Sequence, residues 1–338
     1  MIGDYGYVNA RIRARFRDIL RPEHYRRLLE AEGFSGFVSA LRETAYAPFV
    51  PAGADLGKVL LGLRAYLQRS VSKLLGFSGG EPRFLFETLL GKWDVHNIIT
   101  VLRAKIKGTS PERARAELVP AGSLDEVKLN ALLGEPDASS VLELLTSWGW
   151  PVGRELTKAV RSGNLSEAEY LLARGYFEKA FSRLNPRNPN HALVRRYLNR
   201  MVDIRNVVSV LMLLRAGVKP LGRVKFLPGG LLEERRLMAL ERAESYDEAL
   251  TALKRTAYSK AIPSLSVEPT EVEARMERLA VEEALKEGRR GDPLGIAPGL
   301  LYITALELEQ VNLRTLAVGF DLGVPKQELR ARIVEPLA

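Results

Sequence analysis

Apolar and polar positions recur at helical spacing in a stretch that occurs three times along the chain. After Asp94 and Asp203, apolar residues stand one, four, five and eight positions later, as in an amphipathic helix. Each copy has an acid three positions before an asparagine and fourteen before a glycine: Asp94, Asn97 and Gly108; Asp203, Asn206 and Gly217; Glu309, Asn312 and Gly323. The glycine is expected to end each helix. The chain is therefore predicted to be a threefold repeat.

The acid and the asparagine of each copy have a structural and a chemical interpretation. At positions i and i+3 they lie on one edge of the apolar stripe, where they can bond each other or a neighbouring helix. Three copies are better explained by a repeated packing role than by catalysis or metal binding, since half-buried polar pairs mostly satisfy hydrogen bonds. The third copy fits less well, because Arg314 occupies an apolar position.

Two further landmarks keep the same period of about 105 residues. A segment ending at Tyr46 recurs at Tyr258, with a looser copy ending at Trp150, and a proline follows each. A turn around Pro120 that leads into a helix recurs around Pro228, but the third copy lacks it. The repeats are expected at residues 1–115, 116–223 and 224–338.

The fold class expected from these patterns is all-α, because no stretch shows the sustained alternation of a strand. The N-terminal helices, which carry Pro22 and Tyr46, are candidates to complete the third repeat. The two ends of the chain would then lie close together. Under this hypothesis, three pseudo-repeats form a closed ring, funnel or cup with pseudo-threefold symmetry.

The pattern also predicts where individual helices begin and end. Helices are expected over residues 8–20 and over residues 34–45, with a proline downstream of the second. Asp55, Asn164 and Thr270 are expected to cap one helix in each repeat, because each is a polar residue preceding a helical run.

Composition narrows the possible chemistry. Hydrophobic residues make up 46% of the 338 positions, and the absence of cysteine excludes disulfides, thiolate metal sites and a cysteine nucleophile. The three histidines lie far apart, and the glycine-rich segment 76–80 lacks the Lys-Ser/Thr ending of a phosphate loop. Glu307 and Glu309 stand two positions apart on a helix, so they face different directions and do not predict a catalytic pair. We predict no catalytic, metal-binding or cofactor-binding residues.

The net charge of +9 suggests an anionic partner. The basic residues are scattered and mostly interleaved with acids, and no recognised nucleic-acid module accompanies them, so a nucleic-acid partner is not expected. The N-terminal residues show no signal-peptide pattern, and no apolar run approaches the ~20 residues of a membrane-spanning helix. Any association with a membrane is therefore expected to depend on a partner.

Several motifs, taken in order along the chain, resemble those of a known family. They are residues 4–11, Asp94 with Asn97, residues 226–230, residues 291–295, and Glu309 with residues 312–314. Together with the length and the triplication, they are similar to the C subunit of bacterial and archaeal V/A-type ATPases, called the d subunit in eukaryotes. The resemblance spans essentially the whole chain.

The resemblance implies a non-catalytic central-stalk or rotor subunit of a rotary ATPase that transports ions and makes or hydrolyses ATP. Its three helical domains would form a funnel on the cytoplasmic side of the membrane proteolipid ring, peripheral to the membrane. Its cavity would receive the foot of the central stalk. The expected partners are the ring and the central-stalk subunits, with no small-molecule substrate. The alternative interpretation is a generic α-helical repeat adaptor or a basic nucleic-acid-binding scaffold.

Overall fold

We describe residues 4–333 of the chain in a computed structural model. Sixteen α-helices and two short 3-10 helices lie in this range, and none of these residues forms a strand. The prediction of an all-α protein is confirmed. The chain divides into two compact units: the first contains residues 4–165 and 287–333, and the second is Ser166–Lys286. The boundaries expected for three repeats stay predictions.

The first unit is built from both ends of the chain. Its helices are α1 (Tyr5–Arg15), α2 (Pro22–Glu30), α3 (Gly33–Leu41), α4 (Leu56–Gly76), α5 (Gly80–Lys107), α6 (Pro111–Glu117), α7 (Glu126–Gly134), α8 (Ala138–Ser147), α9 (Arg154–Arg161), α15 (Ala297–Asp321) and α16 (Lys326–Arg332). Helix α15 packs against α1, α3 and α4, while α5 packs against α6, α7 and α8. Because α15 is apolar on most of its sides, it lies deep in the core of this unit, with Leu306 and Leu313 almost fully buried.

The second unit is a continuous stretch of chain with its own core. Its helices are α10 (Leu165–Arg183), α11 (Pro189–Arg215), α12 (Glu234–Glu241), α13 (Tyr246–Leu253) and α14 (Pro269–Arg290). Helix α11 packs against α12 and α13. Val207 and Leu211 of α11 lie in one buried cluster with Leu250 of α13 and Met276 of α14. The apolar stripe predicted for α11 is therefore the face that builds this core.

The helix predicted over residues 8–20 ends early. Helix α1 stops at Arg15, a 3-10 helix follows at Phe16–Asp18, and Ile19 has an extended backbone. The continuation to Leu20 was wrong because the Leu20 N–H donates to the carboxylate of Glu309, at 2.5 Å, and not to a carbonyl of its own helix. A tertiary hydrogen bond overrides the local helical pattern.

The helix predicted over residues 34–45 also ends early, because α3 stops at Leu41. The Thr44 hydroxyl donates to the Leu41 carbonyl at 2.6 Å and accepts the Tyr46 N–H at 3.3 Å, so a side chain takes the bonds that a helix would use. In the predicted echo of this segment, Thr256 makes the same two bonds, to Leu253 and Tyr258. Each turn brings a tyrosine into the core.

Two of the predicted caps can be compared directly with the structure. Asp55 caps α4 by accepting the Lys58 N–H at 2.8 Å, as predicted. The prediction for Thr270 was wrong, because α14 begins at Pro269 and Thr270 lies inside its first turn. Proline suits this first position, since its missing N–H would have no helical partner there.

A glycine ends each of the three long helices that carry the repeated stretch. Gly108, Gly217 and Gly323 follow the ends of α5, α11 and α15 and have φ angles of 65°, 72° and 69°. This left-handed conformation is strained for any residue with a Cβ atom. It lets the next N–H reach back to a carbonyl of the last turn, as Thr109 does to Ala104 at 2.9 Å.

Helices near the two ends of the chain pack together, as expected. Helix α1 contacts α15, and α2 contacts α16. The buried side chain of Asn9 donates to the carbonyls of Pro293 and Gly295 at 3.0 and 2.9 Å, and the Lys326 amine donates to the Glu30 carbonyl at 3.0 Å. The first unit therefore depends on contacts between residues nearly 300 positions apart.

Gly62→Ala tests how closely α4 packs on the preceding turn. A Cβ atom at Gly62 would lie 2.5 Å from the Phe49 carbonyl oxygen and 2.8 Å from Val50 Cγ2. Neither atom belongs to a long flexible side chain, so we expect the free energy of unfolding to fall by about 1–3 kcal/mol. Urea denaturation followed by circular dichroism measures this change.

Gly76→Ala is the matched control in the same helix, because a Cβ atom there meets nothing within 4 Å. It should leave the free energy of unfolding unchanged or raise it by up to about 1 kcal/mol. Equal stabilities for the two variants would contradict the close packing at Gly62.

Candidate functional site

The candidate site residues predicted from the repeats lie on three separate helices. Helices α5, α11 and α15 each present an acid and an asparagine on a buried face, and all six side chains are at most 4% exposed: Asp94, Asn97, Asp203, Asn206, Glu309 and Asn312. The six residues were expected to bond each other or a neighbouring helix. In the first two copies they bond mainly to the backbone of a loop further along the chain, which lies before α7 in the first copy and before α12 in the second.

In the first copy, Asp94 receives two backbone N–H groups from the loop before α7. Ser123 donates to Oδ2 at 2.9 Å and Leu124 donates to Oδ1 at 2.8 Å. Burial raises the pKa of Asp94 above its usual range, while these hydrogen bonds and that of the Ser123 side chain act to lower it. The hydrogen bonds from the loop thus offset part of the solvation free energy that the carboxylate loses when it leaves water.

In the second copy, Asp203 is held in the same way and gains a phenol. Leu231 donates to Oδ2 at 3.0 Å, Leu232 donates to Oδ1 at 3.1 Å, and the Tyr258 hydroxyl donates to Oδ2 at 2.6 Å. Burial raises the pKa of Asp203, against the lowering effect of these three donors. Trp150 follows Asp94 at nearly the spacing at which Tyr258 follows Asp203, and it has no hydroxyl to donate.

A glycine lets each of these loops approach its carboxylate. A Cβ atom added at Gly122 would overlap with the carboxylate of Asp94, and one at Gly230 would overlap with that of Asp203. Each glycine immediately precedes the two donating N–H groups. Gly122 and Gly230 are therefore required by contact with the acid, in addition to any role in the turn.

The asparagines fix the same loops at a second point. Asn97 donates to the Val119 carbonyl and accepts the Val119 N–H, both at 2.8 Å. Asn206 makes the same pair of bonds with Leu227, at 2.9 and 2.8 Å. An asparagine side chain carries a donor and an acceptor side by side, so it can bond both the N–H and the carbonyl of one residue, as a neighbouring strand would. One helix therefore holds each loop at two points.

The third copy uses the N-terminal segment of the chain. Glu309 accepts the Leu20 N–H at 2.5 Å and the Tyr46 hydroxyl at 2.7 Å, and Gln310 donates to the same hydroxyl at 2.6 Å. Asn312 donates to the Tyr25 hydroxyl at 3.3 Å. The tyrosine landmark that serves Asp203 thus has a counterpart at Glu309, supplied from the other end of the chain.

The donor leucine has the same position relative to the next helix in all three copies. Leu124, Leu232 and Leu20 each stand two residues before the first residue of α7, α12 and α2, respectively. The position of Gly122 and Gly230 is occupied in the third copy by Asp18, which has a side chain. The acid is correspondingly one methylene longer, which lets it reach a loop that lacks the glycine.

Glu309 is the most strongly perturbed of the three acids. It is fully buried, and burial raises its pKa to about 7, with the charge of Asp18 adding to the rise. The hydrogen bonds from Leu20 and Tyr46 act in the opposite direction. In the first two copies two backbone N–H groups stabilise the negative charge, whereas Glu309 receives one.

Glu307 and Glu309 have separate partners, as their spacing predicts. Glu307 accepts hydrogen bonds from the Lys92 amine and the Trp93 indole, both at 2.7 Å, and so ties α5 to α15. Among the histidines, His24 and His191 accept backbone N–H groups of nearby residues at 3.0 Å. Within residues 4–333, no group of three or more His, Asp or Glu side chains is placed to hold a metal ion.

Sequence reasoning found the acids, the asparagines and the tyrosine landmarks but did not connect them. The contact between Glu309 and Tyr46 spans 263 positions. The repeat was the available signal for this contact, because Tyr258, which is the later copy of the Tyr46 landmark, donates to Asp203. The donor leucines carry no side-chain signal, because they contribute only backbone N–H groups.

These contacts define an all-helical protein whose buried carboxylates and amides anchor the loops between its helices. Among residues 4–333, no helix is long and apolar enough to cross a membrane. The chain belongs to the ATP synthase (C/AC39) subunit family, whose family model matches residues 8–332. The resemblance drawn from the motifs is confirmed.

Relatives of similar length support this assignment. The chain is 31% identical to the C subunit of the A-type ATP synthase of Archaeoglobus fulgidus, over 98% of this chain and 96% of the relative. It is 28% identical to the C subunit of the V-type ATP synthase of Deinococcus radiodurans, over 98% of this chain and 92% of the relative. It is also 28% identical to the C subunit of the A-type ATP synthase of Methanosarcina barkeri, over 98% and 93%.

Gly230→Ala tests the close approach of loop and carboxylate. The added methyl group would displace the loop from Asp203 and leave buried polar groups without partners. We expect the free energy of unfolding to fall by about 2–4 kcal/mol. Gly153→Ala is the control, because a Cβ atom there meets nothing within 4 Å and it should change the stability by less than about 1 kcal/mol. Similar losses in both variants would count against the proposed contact.

Glu309→Gln tests the cost of burying this carboxylate. With a pKa of about 7 in the folded state and an ordinary value of 4.5, Glu309 binds its proton more tightly when folded. Stability therefore falls as the pH rises from 4.5 through 7, and the full penalty of about 3 kcal/mol remains above that range. Glutamine does not titrate, so the stability of the variant relative to the wild type should rise by about 3 kcal/mol over this range.

The measurement is urea denaturation of both proteins at a series of pH values. The difference in stability between the two proteins at each pH cancels the contributions of the other acids. Glu43→Gln removes an exposed carboxyl group that lies 3.9 Å from Arg27, and serves as the control. A constant difference between Glu309→Gln and the wild type across the pH series would show that Glu309 does not titrate as stated.

Proposed function

We propose that this protein is a non-catalytic rotor subunit of a V/A-type rotary ATPase, which couples the central shaft to the membrane proteolipid ring during ion transport and ATP synthesis or hydrolysis. The observation that carries the proposal is the family match over residues 8–332. The relatives matched over nearly their whole length are named as the C subunits of A-type and V-type ATP synthases. The partners that follow are the ring and the central-stalk subunits, at the cytoplasmic face of the membrane.

The contacts of the buried acids suit such a role. A part that transmits torque must resist deformation, and close-packed helices with anchored loops deform little. Asp94 and Asn97 hold one loop at two points, and Asp203 and Asn206 do the same for another. Each contact joins a side chain of a long helix to the backbone of a loop, so its partner in the loop is not a flexible side chain.

We further propose that the nine repeated residues form one structural motif used three times. It consists of an acid that holds a loop, an asparagine and a glycine that ends the helix; the asparagine holds the same loop in the first two copies and bonds Tyr25 of α2 in the third. The recurrence of a donor leucine two residues before α7, α12 and α2 supports this proposal. We infer three pseudo-repeats arranged as a funnel, in which the N-terminal helices complete the third.

Binding to membranes tests the proposed function. The purified chain is sedimented with membranes that carry the proteolipid ring, with the central-stalk subunits present or absent. We expect ring-dependent binding that the stalk strengthens, because coupling requires contact with both partners. Gly230→Ala, which loosens an anchored loop, should weaken this binding more than Gly153→Ala does.

Membranes without the ring are the control for this experiment. Equal binding to membranes with and without the ring would reject the coupling role. So would a failure to bind when the ring and the stalk are both present.

A further inference from the structure

Two helices of the first unit each carry a pair of like charges on one exposed side. Arg11 and Arg15 stand four positions apart on α1, and Arg69 and Lys73 stand four positions apart on α4. Positions i and i+4 are neighbours on a helix surface, so the two charges of each pair repel one another. We name these four residues the α1–α4 basic cluster.

The two pairs lie close to one another. The Arg11 guanidinium carbon is 5.6 Å from the ring centre of Phe77, the residue that directly follows α4. Burial and then the charges of Arg15 and Arg69 lower the pKa of Lys73, while the charge of Asp18 acts to raise it. Folding therefore concentrates positive charge that the sequence places on separate helices.

Ion pairs do not neutralise the cluster in the part of the chain that the structure describes. Among residues 4–333, none of its four side chains forms an ion pair. Asp18 influences Lys73 but is itself paired with Arg17 at 3.4 Å. Elsewhere, exposed arginines are paired with glutamates four positions away, as Arg174 is with Glu178. An uncompensated cluster indicates a ligand that supplies the missing negative charge.

Aromatic rings hold two of the guanidinium groups. Arg11 lies over Phe77 and, at 5.9 Å, over Tyr7, while Arg69 lies 5.6 Å from the ring centre of Phe49. Such stacking leaves the N–H edges of arginine free and limits the rotamers it samples. Arginine edges bind phosphate oxygens in pairs, so the groups are prepared for a phosphate.

We propose that the α1–α4 basic cluster binds the phosphates of anionic lipid headgroups at the membrane surface. The cations are spread over two helices, which suits a surface bearing many phosphates better than a single enclosed ion. Tyr7 is 42% exposed beside Arg11, and its amphipathic ring suits the headgroup region. The proposal rests on the proposed function, because a peripheral subunit held at the ring lies beside headgroups.

Flotation of the full chain with protein-free vesicles tests this proposal. Phosphatidylcholine vesicles with and without phosphatidylglycerol are compared at low salt and at about 0.5 M salt. We expect binding that requires phosphatidylglycerol and is lost at high salt. Changing Arg11, Arg15, Arg69 and Lys73 together to glutamine should weaken it by at least about tenfold. Binding to pure phosphatidylcholine at the same strength, or no binding to either vesicle, would overturn the proposal.

The matched control changes four ion-paired arginines of the second unit to glutamine, namely Arg174, Arg235, Arg275 and Arg278. Both variants lose four positive charges from the net +9, so the control separates the cluster from net charge. Circular dichroism and thermal unfolding establish that each is folded. An equal loss in both variants would overturn the proposal. The proposal would also be overturned if the chain bound a polyglutamate peptide more strongly than the anionic vesicles and the cluster variant lost this peptide binding to the same extent.

Because the vesicles contain no ring, this outcome is independent of the ring-binding experiment. Loss of lipid binding with ring binding retained would support the cluster as a lipid contact of a correctly assigned subunit. Vesicle binding without any ring binding would leave the lipid contact in place and reject the coupling role.

Discussion

A carboxylate that is buried without hydrogen-bond donors destabilises a protein, and α5, α11 and α15 each carry a buried carboxylate. The architecture around Asp94, Asp203 and Glu309 follows from the need to supply hydrogen-bond donors at these points. Backbone N–H groups serve this purpose well, because they occupy fixed positions once the loop has formed. The dependence is mutual: the acid gains its donors, and the loop gains a fixed course between two helices.

The three copies show how far this arrangement can vary. A glycine beside the acid permits close approach in two copies, and a longer acid accompanies Asp18 in the third. A tyrosine adds a third donor at Asp203 and the second donor at Glu309. Each change alters the balance between burial and hydrogen bonding, and at Glu309 burial raises the pKa to about 7.

The helical class, the long helices and their glycine ends could be read from the sequence, because they depend on local spacing. The pattern places Leu20 in a helix, because periodicity does not show that the Leu20 N–H bonds to Glu309, which lies 289 positions away. The boundaries near Thr44 and Thr270 were predicted wrongly for a different reason. A turn closed by the Thr44 hydroxyl ends one helix, and a proline at the first position begins the other. The acid and asparagine positions were found from the repeat, but their backbone partners leave no side-chain pattern.

The discontinuous first unit imposes an order on folding during synthesis. The second unit is continuous in sequence and can fold once its residues have left the ribosome. Leu20 and Tyr46 are made well before their acceptor on α15, which lies 289 and 263 residues further along the chain, respectively. Until then the N-terminal helices lack the α15 face that buries them, so the slowest step of folding is expected to be their docking onto α15 after α15 has been synthesised.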